Sequence, residues 1–194
     1  MRSFARVLAL VFHPVVPGFF VALYAAIEHE GGLTARLWSI AALVTGVCVV
    51  LPLATTGLAF RLGWLGDDLY LVRRENRRFL YPVAAISLAV AAAIFTWVYP
   101  FPLATAMCWA ALGVTLALFA FNRTVKPSIH CAGLMGVATS ATWVYGLTAA
   151  PLFVLVPIVA WARVRTENHT PLETLLGSAI GGVMTALACV ALVP

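Results

Sequence analysis

Of the chain's 194 residues, 63% are hydrophobic and only 10% are charged, and the mean hydropathy is +1.00. Soluble domains carry about 25% charged residues, so a water-exposed globule is excluded, as is a disordered chain; four cysteines are too few for a secreted disulfide scaffold. The formal charge of +5 and pI near 9.4 would suit nucleic acid in a soluble protein, but here the basic residues lie between apolar runs, where they set topology, and no nucleic-acid partner is expected.

A helix needs about 20 apolar residues to cross a hydrocarbon layer of about 30 Å. Such stretches lie at residues 7–27, 37–60, 80–98, 103–121, 131–147, 150–162 and 171–193. The first follows Arg2 and Arg6 and continues through Ala26. That is longer than the apolar part of a signal peptide, so it reads as a retained first helix. Pro100 and Pro102 divide the long block between residues 80 and 121. The block 131–162 is either one helix about 45 Å long or two short ones; Gly146 and Pro151 bracket a turn, which favours two. The expected fold is all-α: a polytopic transmembrane bundle of six to seven membrane helices, forming one integral-membrane domain over residues 1–194.

With seven spans, eleven of the twelve Lys and Arg residues fall on the side of the N-terminus, 61–79, 122–130 and 162–170, and only Arg36 lies opposite. The positive-inside tendency makes the richer side cytoplasmic. Setting aside Arg74, Arg78, Lys126 and Arg163 as candidate ligands leaves seven against one. The expected location is a multi-pass position in a cell membrane, a bacterial inner membrane given the compact chain.

Three polar clusters share that side. The first is Asp67-Asp68 followed by Arg73-Arg74-Glu75-Asn76-Arg77-Arg78, ending at Pro82. The second is Asn122-Arg123 and Lys126-Pro127-Ser128-Ile129-His130. The third runs from Arg163 through His169-Thr170-Pro171-Leu172 to Glu173. Two spans separate each cluster from the next, so all three return to one membrane face, where ionisable groups at helix ends are functional candidates.

Arg163, five residues, His169, three residues and Glu173 resemble the third signature of the type-2 phosphatidate phosphatase superfamily: Ser-Arg, five residues, His, three residues, Asp. Pro127-Ser128-Ile129-His130 resembles the family's Pro-Ser-Gly-His. Arg74 and Arg78, or Arg77, resemble more loosely its basic signature of Lys, six residues, then Arg-Pro. The three stand in family order over roughly residues 60–185. This chain departs at Ala162 for Ser, Glu173 for Asp, Ile129 for Gly and Tyr81-Pro82 for Arg-Pro. The resemblance implies a phosphatidic acid phosphatase type 2/haloperoxidase-like core and a lipid phosphatase that needs neither metal nor cofactor. In that scheme His169 attacks phosphorus and forms a phosphohistidine, and His130 protonates the leaving group and then activates water. Glu173 orients His169, while Arg163, Ser128, Arg74, Arg78 and Lys126 hold the phosphate. The implied substrates are phosphatidate, phosphatidylglycerophosphate or a polyprenyl pyrophosphate, with the bilayer as the other partner. The alternatives are an inactive relative or a small membrane transporter binding anionic headgroups.

The residue types suit this chemistry on their own. Guanidinium groups bind phosphate dianions bidentately, and the helix after Pro127-Ser128 presents N–H groups and a positive dipole end. His169 and Glu173, four apart, stack on a helix; a carboxylate on one ring nitrogen fixes the tautomer of a nucleophilic histidine. Plainer roles exist too. Thr170-Pro171-Leu172-Glu173 fits a capping box with proline at the first helical position, Ser128 fits a helix cap, and Arg73–Arg78 fits a cytoplasmic anchor. No carboxylate or Cys/His cluster has metal-ligand spacing, so no metal site is expected.

Overall fold

Proline and glycine punctuate the apolar sequence into helices. The computed structural model describes residues 2–12, 15–46, 50–66 and 74–194. Its helices are α1 (Arg2–Val11), α2 (Val15–Glu30), α3 (Ala35–Thr45), α4 (Leu51–Arg61), α5 (Arg74–Ala93), α6 (Pro102–Phe121), α7 (Ile129–Tyr145), α8 (Leu155–Arg165) and α9 (Pro171–Leu192). No strand occurs among the described residues. Thr34 caps α3 by accepting from Leu37 N at 3.0 Å. A π-helical turn, Ile94–Val98, extends α5, and Pro102 opens α6, where its missing N–H costs nothing.

Four helical runs are long and apolar enough to cross a membrane: Asn76–Val98, Pro102–Phe121, Ile129–Arg165 and Pro171–Leu192. The chain is an all-helical membrane protein. Four is fewer than the seven apolar stretches of the sequence, for two reasons. Stretches 7–27 and 37–60 each include residues outside the described ones (13, 14 and 47–49), and the helical pieces described on either side, of 10 to 16 residues, are each too short to count as a span. The last block counts as one helical run, Ile129–Arg165, although it holds two α-helices, α7 and α8, as expected, joined by a 3₁₀ segment.

That run nevertheless folds back. Thirty-seven residues of straight helix would separate its ends by about 55 Å. Instead Cys131 and Leu134, near its start, pack in one cluster with Val156 and Val159, near its end. The reversal lies in a 3₁₀ segment, Gly146–Val154, opened by Gly146 at φ 64°, a conformation that suits glycine. Both ends of the block therefore lie at one end of the bundle.

α9 is built inside out relative to a helix in water. Its buried stripe is Thr174, Gly177, Ser178, Gly181, Thr185 and Cys189, at the three- and four-residue spacing of one helical face. Leu172, Leu175, Val183, Leu187 and Val190 are exposed. Lipid tails are as apolar as leucine, so helices in a bilayer associate through small residues that allow close approach. Two of the stripe's hydroxyls are satisfied locally: Thr174 donates to Pro171 O at 2.7 Å and Ser178 to Thr174 O at 2.9 Å. α9 packs against α7 and α6, α5 against α6, and α1 against α8.

The polar segments divide between the two ends of the bundle. At one end Tyr145 donates to Glu28 at 3.2 Å, Tyr99 and Thr34 donate to Glu30, and His29 stacks on Phe101 at 4.7 Å. Arg36, the basic residue assigned to the opposite face, is here, 4.5 Å above the Tyr99 ring. At the other end Ala5 of α1 packs on Ala162 of α8, beside the segments that carry His169, Lys126 and Arg77.

Candidate functional site

The site is the seam where the starts of α7 and α9 meet. Ser128 caps α7, its Oγ accepting from Cys131 N at 3.4 Å. Thr170 caps α9 in a complete capping box: Thr170 Oγ1 accepts from Glu173 N at 3.2 Å, and Glu173 Oε2 accepts from Thr170 N at 2.9 Å. Hydrogen bonds then join the two starts. Ser128 N donates to Glu173 O at 2.9 Å, and Lys126 N donates to Glu173 Oε1 at 3.3 Å. His169 Nδ1 lies 3.0 Å from Lys126 O and 3.4 Å from Glu173 Oε2. Glu173 is thus both the helix cap and a neighbour of the imidazole.

The carbonyl partner fixes the tautomer of His169. A carbonyl oxygen only accepts, so Nδ1 carries the proton and Nε2 keeps its lone pair. Nε2 is buried and has no hydrogen-bond partner, and the residue is 5% exposed. Burial first, then the charges of Arg77, Arg163 and Lys126, push its pKa down to about 3, against the opposing pull of the Lys126 carbonyl. At neutral pH the ring is therefore uncharged with an unshared pair on Nε2, the form a nucleophilic histidine requires.

The three cations come from three different segments. Arg77 of α5 is 6% exposed. Arg163 of α8 is half-buried and its Nε is buried without a hydrogen-bond partner. Arg77 and Arg163 are close enough to repel one another. Buried like charges are costly unless an anion lies between them, so the arrangement is suited to a multiply charged oxyanion. Among the described residues no group of three or more His, Cys, Asp or Glu side chains converges.

Of the residues singled out in the sequence, His169, Glu173, Arg163, Lys126 and Ser128 meet at this seam. Ser128 is fully buried, and its Oγ is engaged as the α7 cap. His130 is the second residue of α7 and is half-buried. Arg78 stands apart: it is exposed and lines a cavity of about 430 Å³ with Phe119, Asn122 and Arg123. Successive helical residues point about 100° apart, and the inward place belongs to its neighbour Arg77. The backbone of Arg74 opens α5; its side chain lies outside the described residues, as do Asp67, Asp68 and Arg73. Tyr81 (3% exposed) also packs with the start of α7 and was not among the candidate site residues. Helical spacing pairs Arg77 with Tyr81 as readily as Arg74 with Arg78, so only burial distinguishes the two faces.

No family model, curated protein or solved structure matches this chain.

Proposed function

We propose that this protein is a membrane-embedded lipid phosphatase, hydrolysing a phosphate monoester or pyrophosphate of a lipid through a phosphohistidine at His169. One observation carries the reading: a buried imidazole nitrogen with an unshared lone pair, within electrostatic reach of Arg77, Arg163 and Lys126. Cations placed to draw in a phosphate also keep the nucleophile unprotonated until the phosphate arrives. The resemblance of residues 126–130 and 163–173 to the type-2 phosphatidate phosphatase signatures points the same way.

In this mechanism the guanidinium groups of Arg77 and Arg163 hold the phosphoryl oxygens, helped by Lys126. His169 Nε2 attacks phosphorus, the P–O bond to the lipid breaks, and His130 gives its proton to the departing oxygen. His130 then takes a proton from water as the water oxygen attacks the phosphohistidine. The P–N bond breaks and phosphate leaves. Lys126 O and Glu173 hold the Nδ1 proton and stabilise the charge that develops on the ring. Arg77, Ser128 and His169 are at most 6% exposed, whereas Lys126 and Arg163 are half-buried, so in this reading substrate approaches Nε2 from their side. The proposal extends to a multi-pass protein of six or seven crossings in a bacterial inner membrane, with the His169 end in the cytoplasm, supported by the basic residues gathered at that end.

The test is phosphate release by the purified protein from phosphatidate, phosphatidylglycerophosphate and polyprenyl pyrophosphate in mixed micelles. At least one is expected to turn over, and His169→Ala to reduce that turnover about a thousandfold or more. Absence of release from all three would overturn the reading.

A further inference from the structure

Tyr81 follows Arg77 by one helical turn on α5. Its ring packs among Leu118, Ala132 and Ile129 and lies 5.6 Å from the Phe119 ring. The hydroxyl is buried, and the polar group that acts on it is Arg77, without a well-formed hydrogen bond between them. Phenylalanine would fill the same space without stranding a polar atom, so packing does not account for the oxygen.

The position of Tyr81 does account for it. The ring shares its cluster with Ile129 and Ala132, which lie in the first turn of α7 with His130 between them. The Arg77 guanidinium acts electrostatically on Tyr81, on Arg163 and on His169 alike. Arg163 Nε and His169 Nε2 are buried atoms without a hydrogen-bond partner. These two atoms and the Tyr81 hydroxyl, from three segments, thus all lie within electrostatic reach of one guanidinium.

We propose that Tyr81 is an anion-binding residue of the His169 site, its hydroxyl donating to an oxygen of the bound group beside Arg77. The identity of that group rests on the phosphatase reading above. The proposal sharpens the ligand class. Two guanidinium forks from α5 and α8, with a phenol one turn along α5 from the first, suit a tetrahedral oxyanion with oxygens in several directions, rather than a planar carboxylate. A neutral donor also adds a hydrogen bond without adding another buried positive charge.

The experiment compares full-length wild type with Tyr81→Phe in detergent micelles. It measures thermal unfolding across a titration of inorganic phosphate, and phosphate release from phosphatidate. Because the lost oxygen has no well-formed hydrogen bond within the protein, Tyr81→Phe is expected to unfold close to the wild-type temperature when phosphate is absent. Half-maximal stabilisation is expected to need about tenfold more phosphate or beyond, with kcat/KM lowered by a similar factor, as for a lost hydrogen bond to a charged group. Equal phosphate dependence in the two proteins would overturn the proposal, as would a Tyr81→Phe protein that is less stable only in the absence of phosphate. Wild type that binds phosphate without hydrolysing lipid would overturn the phosphatase reading, and the binding comparison would still decide Tyr81. Wild type that does neither would overturn both.

Discussion

Gly177 of α9 lies directly against the backbone of Ser128: a Cβ at Gly177 would stand 2.4 Å from the Ser128 carbonyl oxygen and 3.0 Å from its nitrogen. The partner at this contact is backbone, which cannot step aside, and it is the backbone that caps α7 and donates to Glu173 O. Gly177→Ala is therefore expected to push residues 126–128 away from residues 169–173 and to break the Lys126 O–His169 Nδ1 contact. The expected cost is about 1–3 kcal/mol of stability, with a larger proportional loss of phosphate release. Gly182→Ala is the control, because its Cβ would meet only the flexible Met135 side chain, at 3.2 Å. Thermal unfolding and turnover of the two variants side by side would check this; equal effects would show that the Ser128 contact is not special.

The two neighbouring arginines of α5 give a second prediction. Arg77 is buried beside His169 and Arg163, whereas Arg78 is exposed on the cavity near Asn122. Arg77→Ala is expected to lower kcat/KM on a lipid phosphate by about a hundredfold, on the scale of losing a charged hydrogen-bonding partner. Arg78→Ala should stay within about threefold, as exposed charges generally contribute little. Steady-state kinetics on both variants decide it, and the reverse ranking would move the phosphate to the outer cavity.

These pairs show what the sequence could carry. The capping box at Thr170–Glu173 was readable because it is local, with four consecutive residues dictating their own hydrogen bonds. The seam itself depends on Lys126 meeting His169, 43 residues later. Spacing could suggest that both returned to one face but not that a backbone carbonyl would hold the ring. Arg74–Arg78 and Arg77–Tyr81 share the same helical period, so periodicity was silent on which faces inward. The apolar blocks of the N-terminal third were visible by composition.

Acid should weaken the folded state through His169. Its folded pKa, about 3, lies below the 6.5 of an unperturbed histidine. Between these values the unfolded chain binds a proton that the folded chain does not, so stability falls as pH drops through that window, by up to about 1.4 kcal/mol per pH unit. Above pH 6.5 the ring contributes no pH dependence. His169→Gln is expected to flatten the curve of unfolding free energy between pH 6.5 and 4.5. Inorganic phosphate, by neutralising the cations, should flatten that of the wild type. Parallel curves for wild type and His169→Gln would show that the ring is not held neutral.

The last prediction concerns topology. If residues 129–165 fold back at Gly146, as the packing of Cys131 and Leu134 with Val156 and Val159 requires, positions 125 and 166 lie on the same side of the membrane. Leu33, next to the Glu30–Tyr99 end of the bundle, then lies on the other. Single cysteines at Val125, Thr166 and Leu33, in a background with the four native cysteines replaced, can be treated with a membrane-impermeant maleimide before and after permeabilisation. Val125→Cys and Thr166→Cys are expected to be protected in intact cells and labelled after permeabilisation, and Leu33→Cys to be labelled from outside. Opposite accessibility of positions 125 and 166 would mean that the block crosses only once. Lys126 and His169 would then be parted by the full thickness of the bilayer, and no phosphate could bind to both.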